Sequence, residues 1–309
     1  MGMIESLFKL IKIIRPHYDT VHSISTFPSG NIISVSYDKS IKIYDSHFNN
    51  IQEIPNAHDN FINYVYVKDE NNFVTCSWDN NIKTWIKNTN SKNLKQNKFN
   101  LNKIIPKAHK YDTLCVIYTN NDKIISCSRD KTIKIWEKNN KFEYQLITIL
   151  QNFNRVNSLL LIEDKNYLIS SGDSGTKIWN YQNFECLFYL QNAVCYNNNA
   201  LKRYDNDRII VGGNKGKIKV ISLSEKTIIK EINNIFECYA ICVLKEKNIF
   251  LIGGESKDIK IYNFNHYGFI ETIQNIDEEM VFGLTKLKDG SIVSYGMDKK
   301  IKIFRFRSK

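Results

Sequence analysis

Short runs of alternating apolar and polar residues fill the chain, and one of them sets the pattern for the rest. In residues 126–136, two such runs flank a tight polar turn, as expected of a β-hairpin. Ile133 and Ile135 fall on one face of the second strand, with Lys134 and Trp136 on the other. A hairpin alone is marginally stable because two strands cannot bury both apolar faces. This hairpin is therefore expected to belong to a larger sheet.

The same hairpin recurs seven times. Its turn position is occupied, in chain order, by Asp38, Asp79, Asp130, Asp173, Lys215, Ser256 and Asp298. The period lies in the low forties, apart from one step of 51 residues between Asp79 and Asp130. An apolar strand precedes each hairpin, and in every copy but the last another follows it, which gives four strands per repeat. Strand-only repeats of this length are typical of β-propellers. We therefore predict an all-β, seven-bladed propeller, with residues 1–309 forming a single domain.

The last repeat lacks a fourth strand, whereas a spare apolar run, Leu7–Ile14, precedes the first repeat. We expect residues 1–15 to supply the missing strand of blade seven. This arrangement would close the ring by pairing the two chain ends and would remove exposed sheet edges. The alternative for this segment is a frayed amphipathic helix.

The long step between Asp79 and Asp130 locates an insertion in blade two. Residues 88–102 consist almost wholly of Asn, Lys, Ser and Gln, a composition too polar to bury. We expect this segment to be a surface loop between the third and fourth strands of the blade.

Polar residues also recur at fixed positions in the repeats. Two repeats carry a full set: His58, Thr75, Asp79 and Trp85 in blade two, and His109, Ser126, Asp130 and Trp136 in blade three. These residues resemble the signature of the WD40-repeat family, and the resemblance extends over the whole chain. It implies a propeller in which each His, Ser or Thr, Asp and Trp form a hydrogen-bonded tetrad that fixes the blade. Blade one has Tyr44 in place of the Trp, and blades four to seven keep only parts of the signature.

Three members of the blade-three set, His109, Ser126 and Asp130, are also the residue types of a nucleophilic triad. Because the same trio recurs in blade two and an enzyme needs it once, we interpret both sets as structural. Residues 212–217 lack the spacing of a phosphate-binding loop, and Cys238 and Cys242 lack a second pair to complete a zinc site. We therefore expect no catalytic residues, no metal, no cofactor and no enzyme activity.

The net charge of +11 comes mainly from lysines. One lysine occupies the same strand position in every repeat: Lys42, Lys83, Lys134, Lys177, Lys219, Lys260 and Lys302. This lysine ring, with a basic end at Arg305, Arg307 and Lys309, could attract acidic partners. We favour a structural interpretation, in which each stem packs along its blade and each ammonium lies in water. The scarcity of arginine also argues against bidentate phosphate recognition.

The seven cysteines fall mostly in apolar strand-like runs, where a free cysteine behaves as a small apolar residue. An odd number without a framework pattern favours a reducing compartment, so we expect a cytoplasmic protein, with the nucleus as a second possibility. Lys9 and Lys12 interrupt the N-terminal apolar run, and no stretch is long enough to span a membrane as a helix.

The resemblance also indicates a binding face. In WD40 proteins, the turns between the second and third strands, with the loops that enter the first strands, surround the central channel and commonly bind partners. The candidate protein-binding residues on this face are Tyr37, Phe61, Trp78, Tyr111, Arg129, Arg155, Glu255 and Glu278. Tyr, Trp and Arg dominate interface hot spots, and the acidic run Asp277–Glu279 is expected to give the opposite side of the rim a negative charge.

These observations predict a non-catalytic scaffold or adaptor, a subunit of a multiprotein complex that binds peptide segments of other proteins on the face around the channel. The alternative is an RNA- or phosphate-binding propeller that uses the lysine ring and the basic C-terminus. Membrane insertion is not expected.

Overall fold

A computed structural model describes residues 6–88, 98–213, 216–234 and 236–307. Within these ranges the chain forms 28 strands, arranged as seven four-stranded antiparallel sheets in a ring. The seven-bladed propeller expected from the repeat is thereby confirmed. Turn residues 214–215, which include the predicted turn position of blade five, lie outside the described residues.

Blades one to three follow the expected order of four consecutive strands each. Blade one contains β2 (Val21–Thr26), β3 (Ile32–Ser36), β4 (Ile41–Tyr44) and β5 (Asn50–Ile54). Blade two contains β6 (Ile62–Val67), β7 (Asn72–Ser77), β8 (Ile82–Lys87) and β9 (Phe99–Ile105). Blade three contains β10 (Thr113–Tyr118), β11 (Ile124–Ser128), β12 (Thr132–Lys138) and β13 (Tyr144–Gln151).

Blades four to six repeat this order. Blade four contains β14 (Val156–Ile162), β15 (Tyr167–Gly172), β16 (Gly175–Asn180) and β17 (Cys186–Leu190). Blade five contains β18 (Leu201–Arg203), β19 (Arg208–Gly212), β20 (Lys217–Ser222) and β21 (Thr227–Asn233). Blade six contains β22 (Cys238–Leu244), β23 (Ile249–Gly254), β24 (Ser256–Asn263) and β25 (Phe269–Ile273). Two 3-10 helices, Glu163–Lys165 and Lys245–Lys247, follow the first strands of blades four and six.

Blade seven is completed by the N-terminal strand. It contains β26 (Val281–Lys286), β27 (Ile292–Gly296), β28 (Ile301–Phe306) and, as its outer strand, β1 (Phe8–Ile14). The pairing of β1 with β28 is antiparallel, and the buried Phe8 ring meets the edge of Phe306 at a centroid distance of 5.2 Å. The predicted closing strand is confirmed, and the helical alternative for this segment is wrong. Residues 1–5 lie outside the described residues.

The predicted polar insertion in blade two is shorter than expected. Its first residue, Asn88, follows β8, and residues 89–97 lie outside the described residues. Its last residues, Phe99 to Asn102, belong to β9. The expected boundary at residue 102 is therefore wrong, because the buried Phe99 ring stacks against Phe27 of blade one and ties the start of β9 to the core.

The core lies between neighbouring sheets. The interface of blades two and three, for example, joins Val74, Cys76 and Ile82 to Val116 and Ile124, and all five are fully buried. The first strand of each blade contacts the first strands of its neighbours, so these seven strands surround the central channel. The turns between second and third strands then lie together on one face of the ring.

Candidate protein-interaction site

The tetrad residues of blade two form one chain of hydrogen bonds. His58 places Nδ1 at 2.8 Å from Asp79 Oδ2 and Nε2 at 2.8 Å from Thr75 Oγ1. The indole N–H of Trp85 donates to the same hydroxyl at 2.9 Å. Burial opposes ionisation of Asp79, but the hydrogen bonds and charge of His58 outweigh it and lower the pKa of Asp79 to about 2. Asp79 also accepts the backbone N–H of Asn81 at 2.9 Å and so shapes the turn.

Blade three repeats this arrangement with Ser126 in place of the threonine. His109 lies 2.9 Å from Asp130 and 2.8 Å from Ser126, and Trp136 donates to Ser126 at 3.0 Å. These side chains are occupied in satisfying one another's buried polar groups. His109 and Ser126 are both buried, and their described partners are the other members of the tetrad and its turn.

The other blades satisfy the same positions with different chemistry. In blade one, His17 bonds Asp38 at 2.9 Å and Ser34 at 2.8 Å. In blade four, Trp179 donates to Ser170 at 2.9 Å. No histidine contacts Asp173 in the described part of the chain, and its carboxylate lies 2.6 Å from Arg155 Nε.

In blade seven, Asp277 takes the place of the histidine. The spacing from Asp277 to Asp298 along the chain equals the spacing from His58 to Asp79. Both aspartate side chains are 0% exposed, and the Lys302 ammonium bonds to each of them. Burial raises the pKa of Asp277 to about 7, although Lys302 opposes the shift. The expected exposed position of Asp277 on an acidic rim is therefore wrong, since its carboxylate is needed inside the blade.

The lysine ring is engaged within the protein. Lys83 and Lys134 donate to the carbonyls of Ala57 and Ala108, at 2.8 and 2.7 Å, where the chain enters the blade. Lys177 and Lys219 donate to the equivalent carbonyls where the chain enters blades four and five, those of Gln151 and Asn192. The remaining members meet Glu53, the ring of Phe236, and the two aspartates of blade seven. The expectation that the ammonium lies in water is wrong for the buried members Lys42, Lys219 and Lys302, where carboxylates or a backbone carbonyl take the place of water.

Four of the predicted binding residues form one surface, which we call the aromatic cluster: Tyr37, Phe61, Trp78 and Arg129. The Tyr37 and Phe61 rings stack at 4.4 Å between centroids and 13° between planes. Trp78 lies 5.8 Å from Tyr37 and 5.3 Å from Phe61. The Arg129 guanidinium lies 5.3 Å from the Trp78 ring centre. Three blades thus contribute to one patch, because each residue stands at a turn or entry loop on the same face.

Charge and burial hold this cluster in place. Arg129 pairs with Asp112 at 3.1 Å, while nearly half of its side chain stays exposed. Burial of the Tyr37 hydroxyl raises its pKa to about 12, with nearby Asp19 acting in the same direction. The Tyr37 ring also stacks on His22 at 4.9 Å, and burial lowers the pKa of His22 to about 4. At neutral pH the His22 imidazole is therefore neutral where it packs against the Tyr37 ring of the cluster.

Three of the other four predicted binding residues lie apart from the cluster. Tyr111 is 54% exposed, with the Lys110 ammonium over its ring. Glu255 is exposed on blade six, and the exposed Glu278 side chain pairs with Lys300. Among the described contacts, none joins these three residues to the aromatic cluster.

A family model described as "WD domain, G-beta repeat" matches three segments of the chain, residues 8–45, 49–85 and 101–137. These segments cover the closing strand and most of the three blades with His–Asp pairs, but not the outer strand of blade three. The chain carries WD40 repeats and folds as a seven-bladed β-propeller. In this WD40 propeller, blades four to seven keep the blade architecture with altered polar residues.

The curated relatives are distant. The WD40 propeller is 25% identical over 178 residues to the nuclear distribution protein PAC1 of Arthroderma benhamiae, a match that covers 54% of this chain and 37% of that protein. It is 27% identical over 133 residues to a probable cytosolic iron-sulfur protein assembly protein 1 of Kluyveromyces lactis, covering 42% of this chain and 40% of that protein. The matched part thus spans about two fifths of each relative's length.

One structural feature around the central channel has no counterpart among the predicted residues. Residues 193–200, which we call the channel segment, run across the central channel before β18. The Asn198 side-chain amide donates to the carbonyls of Asn63 and Leu114, at 3.4 and 3.1 Å. Asn199 donates to the carbonyls of His22 and Phe282, at 3.4 and 3.1 Å. Two neighbouring asparagines thereby tie together the first strands of blades one, two, three and seven.

A cavity of about 100 Å³ opens between the aromatic cluster and the channel segment. Tyr37, Trp78 and Arg129 line one side, and Arg155 and Tyr196 line the other. The only sequence signal for the channel segment is the run of three asparagines at 197–199, which the asparagine-rich composition of the chain conceals.

No helix in the described ranges is long and apolar enough to cross a membrane.

Proposed function

We propose that this protein is a non-catalytic interaction platform within a multiprotein complex, and that it binds a peptide segment of a partner on the face around the central channel. The observation that carries the proposal is the aromatic cluster. Tyr37, Phe61, Trp78 and Arg129 come from different blades and are packed into one patch on this face.

The chemistry of the cluster suits a binding hot spot. Tyrosine, tryptophan and arginine are the side chains that most often dominate interface energies. Stacking holds the four side chains in place before a partner arrives, so binding orders fewer rotamers and costs less conformational entropy.

Trp78 differs from every other tryptophan of the chain. Trp85, Trp136 and Trp179 each donate their indole N–H to a Ser or Thr hydroxyl of their own blade. The Trp78 indole nitrogen is buried without an acceptor in the described structure. A buried, unpaired donor costs roughly 1–3 kcal/mol. Because Trp78 adds no hydrogen bond to its blade, we infer that its ring serves to bind a partner.

The RNA- or phosphate-binding alternative loses its main support. It depended on a free lysine ring, and the ammonium groups of that ring are bonded to carbonyls and carboxylates or packed on a ring. Phosphate-led binding would weaken steeply as salt rises, whereas we expect binding at an aromatic patch to change little between low and moderate salt.

The process that the platform serves is left open, since the printed names of the two relatives point in different directions, nuclear distribution and iron–sulfur protein assembly. A cytoplasmic location, with the nucleus as the second possibility, stays a prediction. The seven free cysteines agree with a reducing compartment.

The test is affinity purification from the native cell with the wild-type chain, a Trp78→Ala/Arg129→Ala variant and a Tyr111→Ala control. We expect the double variant to lose a defined set of co-purifying proteins that the control retains, with both variants melting near the wild-type temperature. An unchanged protein set in the double variant would place the binding surface elsewhere.

A further inference from the structure

The cavity beside the aromatic cluster has a second arginine–aromatic pair on its far side. Arg155 lies 5.3 Å from the Tyr196 ring centre, the same distance that separates Arg129 from the Trp78 ring centre. Arg155 comes from the entry loop of blade four, and Tyr196 comes from the channel segment. The two guanidinium groups therefore face one small cavity from two sides.

The walls of this cavity are rich in hydrogen-bond donors and contain no carboxylate among the described lining residues. Each guanidinium lies against one aspartate outside the lining: Arg129 Nη1 is 3.1 Å from Asp112, and Arg155 Nε is 2.6 Å from Asp173 but makes no described hydrogen bond to it. Because a guanidinium carries five N–H groups in a fixed fork, these aspartates orient the two arginines and leave further donors for a ligand.

The channel segment closes the cavity on its inner side. Asn197 and Asn198 line it, and Asn198 is held by the carbonyls of Asn63 and Leu114. The Asn198 side-chain oxygen is buried without a partner in the described structure. A ligand on this face is therefore expected to stop at the channel segment instead of threading through the ring.

We propose that this cavity binds the carboxylate of an acidic side chain, Asp or Glu, in a partner peptide whose apolar residue packs on the aromatic cluster. The inference rests on the proposed function, because it names the chemistry of the peptide that the cluster binds. The cavity, with a volume of about 100 Å³, has room for one carboxylate side chain. Since each arginine is already paired with one carboxylate, a singly charged group matches the site better than a doubly charged phosphate.

The test begins with a phage-displayed library of random twelve-residue peptides, selected separately against wild-type protein, Trp78→Ala and Arg155→Gln. We expect wild-type selection to enrich peptides with Asp or Glu at a constant spacing from an aromatic or aliphatic residue. Trp78→Ala should lose the enrichment altogether. Arg155→Gln should keep the apolar preference and lose the acidic one, with an unchanged melting temperature as the control for folding.

The best enriched peptide then enters a double-mutant cycle. Replacing its acid by the matching amide should weaken binding to wild-type protein about tenfold, or about 1.4 kcal/mol, and less than about twofold for Arg155→Gln. A third peptide carries phosphoserine at the acidic position and should bind no tighter than the carboxylate.

The two proposals fail in different ways. Enrichment that depends on Trp78 but shows no acidic position would overturn the carboxylate site and leave the interaction face standing. Enrichment that does not depend on Trp78, or no enrichment at all, would overturn both. A phosphoserine peptide that binds tenfold tighter would overturn the assignment to a carboxylate.

Discussion

Blade two and blade seven fill the same structural position with opposite charge chemistry. In blade two an imidazole, whose pKa is lowered by burial, bonds Asp79 and Thr75. In blade seven the position holds Asp277, and the Lys302 ammonium lies between two buried carboxylates. Both solutions satisfy buried polar groups and both support a regular four-stranded sheet. The tetrad position therefore requires satisfied polar atoms and does not require histidine.

The largest effect that separates the two blades should come from the lysine ring. Lys302→Met leaves Asp277 and Asp298 buried without a cation, which should cost about 3–5 kcal/mol of unfolding free energy. Lys83→Met, at the equivalent position of blade two, removes one hydrogen bond to the Ala57 carbonyl and should cost about 1 kcal/mol. Urea unfolding measures both values. Equal losses of unfolding free energy would contradict this difference between the two lysines.

A second contrast appears in the dependence of stability on pH. The pKa of Asp277 rises to about 7 in the folded chain, so between about pH 4 and 7 the folded state holds a proton that the unfolded state has lost. Its contribution is complete in acid and is lost as pH rises through about 7. The Asp79 contribution, from a carboxyl whose pKa falls to about 2, is instead lost as pH falls.

Asp277→Asn should isolate the blade-seven part of this behaviour. Melting temperatures measured from pH 5 to pH 8 should show the variant gaining stability relative to wild type as pH rises, because the amide cannot ionise. Parallel curves for the two proteins would mean that Asp277 does not titrate in this range.

The smallest contrast concerns two tryptophans. Trp136→Phe removes the hydrogen bond to Ser126 and should lower the unfolding free energy by roughly 1–3 kcal/mol. Trp78→Phe removes no hydrogen bond in the described structure and relieves the buried, unpaired N–H, which offsets the reduced ring contacts, so stability should change by less than about 0.5 kcal/mol. A larger loss for Trp78→Phe than for Trp136→Phe would assign Trp78 to the scaffold.

Much of the scaffold was predictable because it repeats. The period of the hairpins, the spare strand ahead of the first blade and the spacing of His58 and His109 from their aspartates are all local patterns in the chain. The same spacing could have located Asp277 inside blade seven, since only the residue type had changed. The acidic composition of residues 277–279 instead suggested a surface run and hid the structural position of Asp277.

The channel segment was not predictable in this way. Asn199 bonds the carbonyl of His22, a residue 177 positions earlier, and this contact exists only because the ring closes. No periodicity marks such a pair, and asparagine is common throughout the chain. Arg129 could be proposed from the sequence because its residue type differs from those at the same turn position in the other repeats. Its position over Trp78 could not be predicted, because that contact depends on the angle between blades two and three.

We propose that the aromatic cluster, on the rim of blades one to three, binds a partner while the tetrads maintain the fold. The most direct test measures partner retention and melting temperature in parallel for Trp78→Ala/Arg129→Ala and for His109→Ala/Asp130→Ala. We expect the rim variant to lose partner binding at a nearly unchanged melting temperature. The tetrad variant should melt at a clearly lower temperature and still bind where it remains folded. Binding that survives in the rim variant and disappears in the folded tetrad variant would contradict the claim.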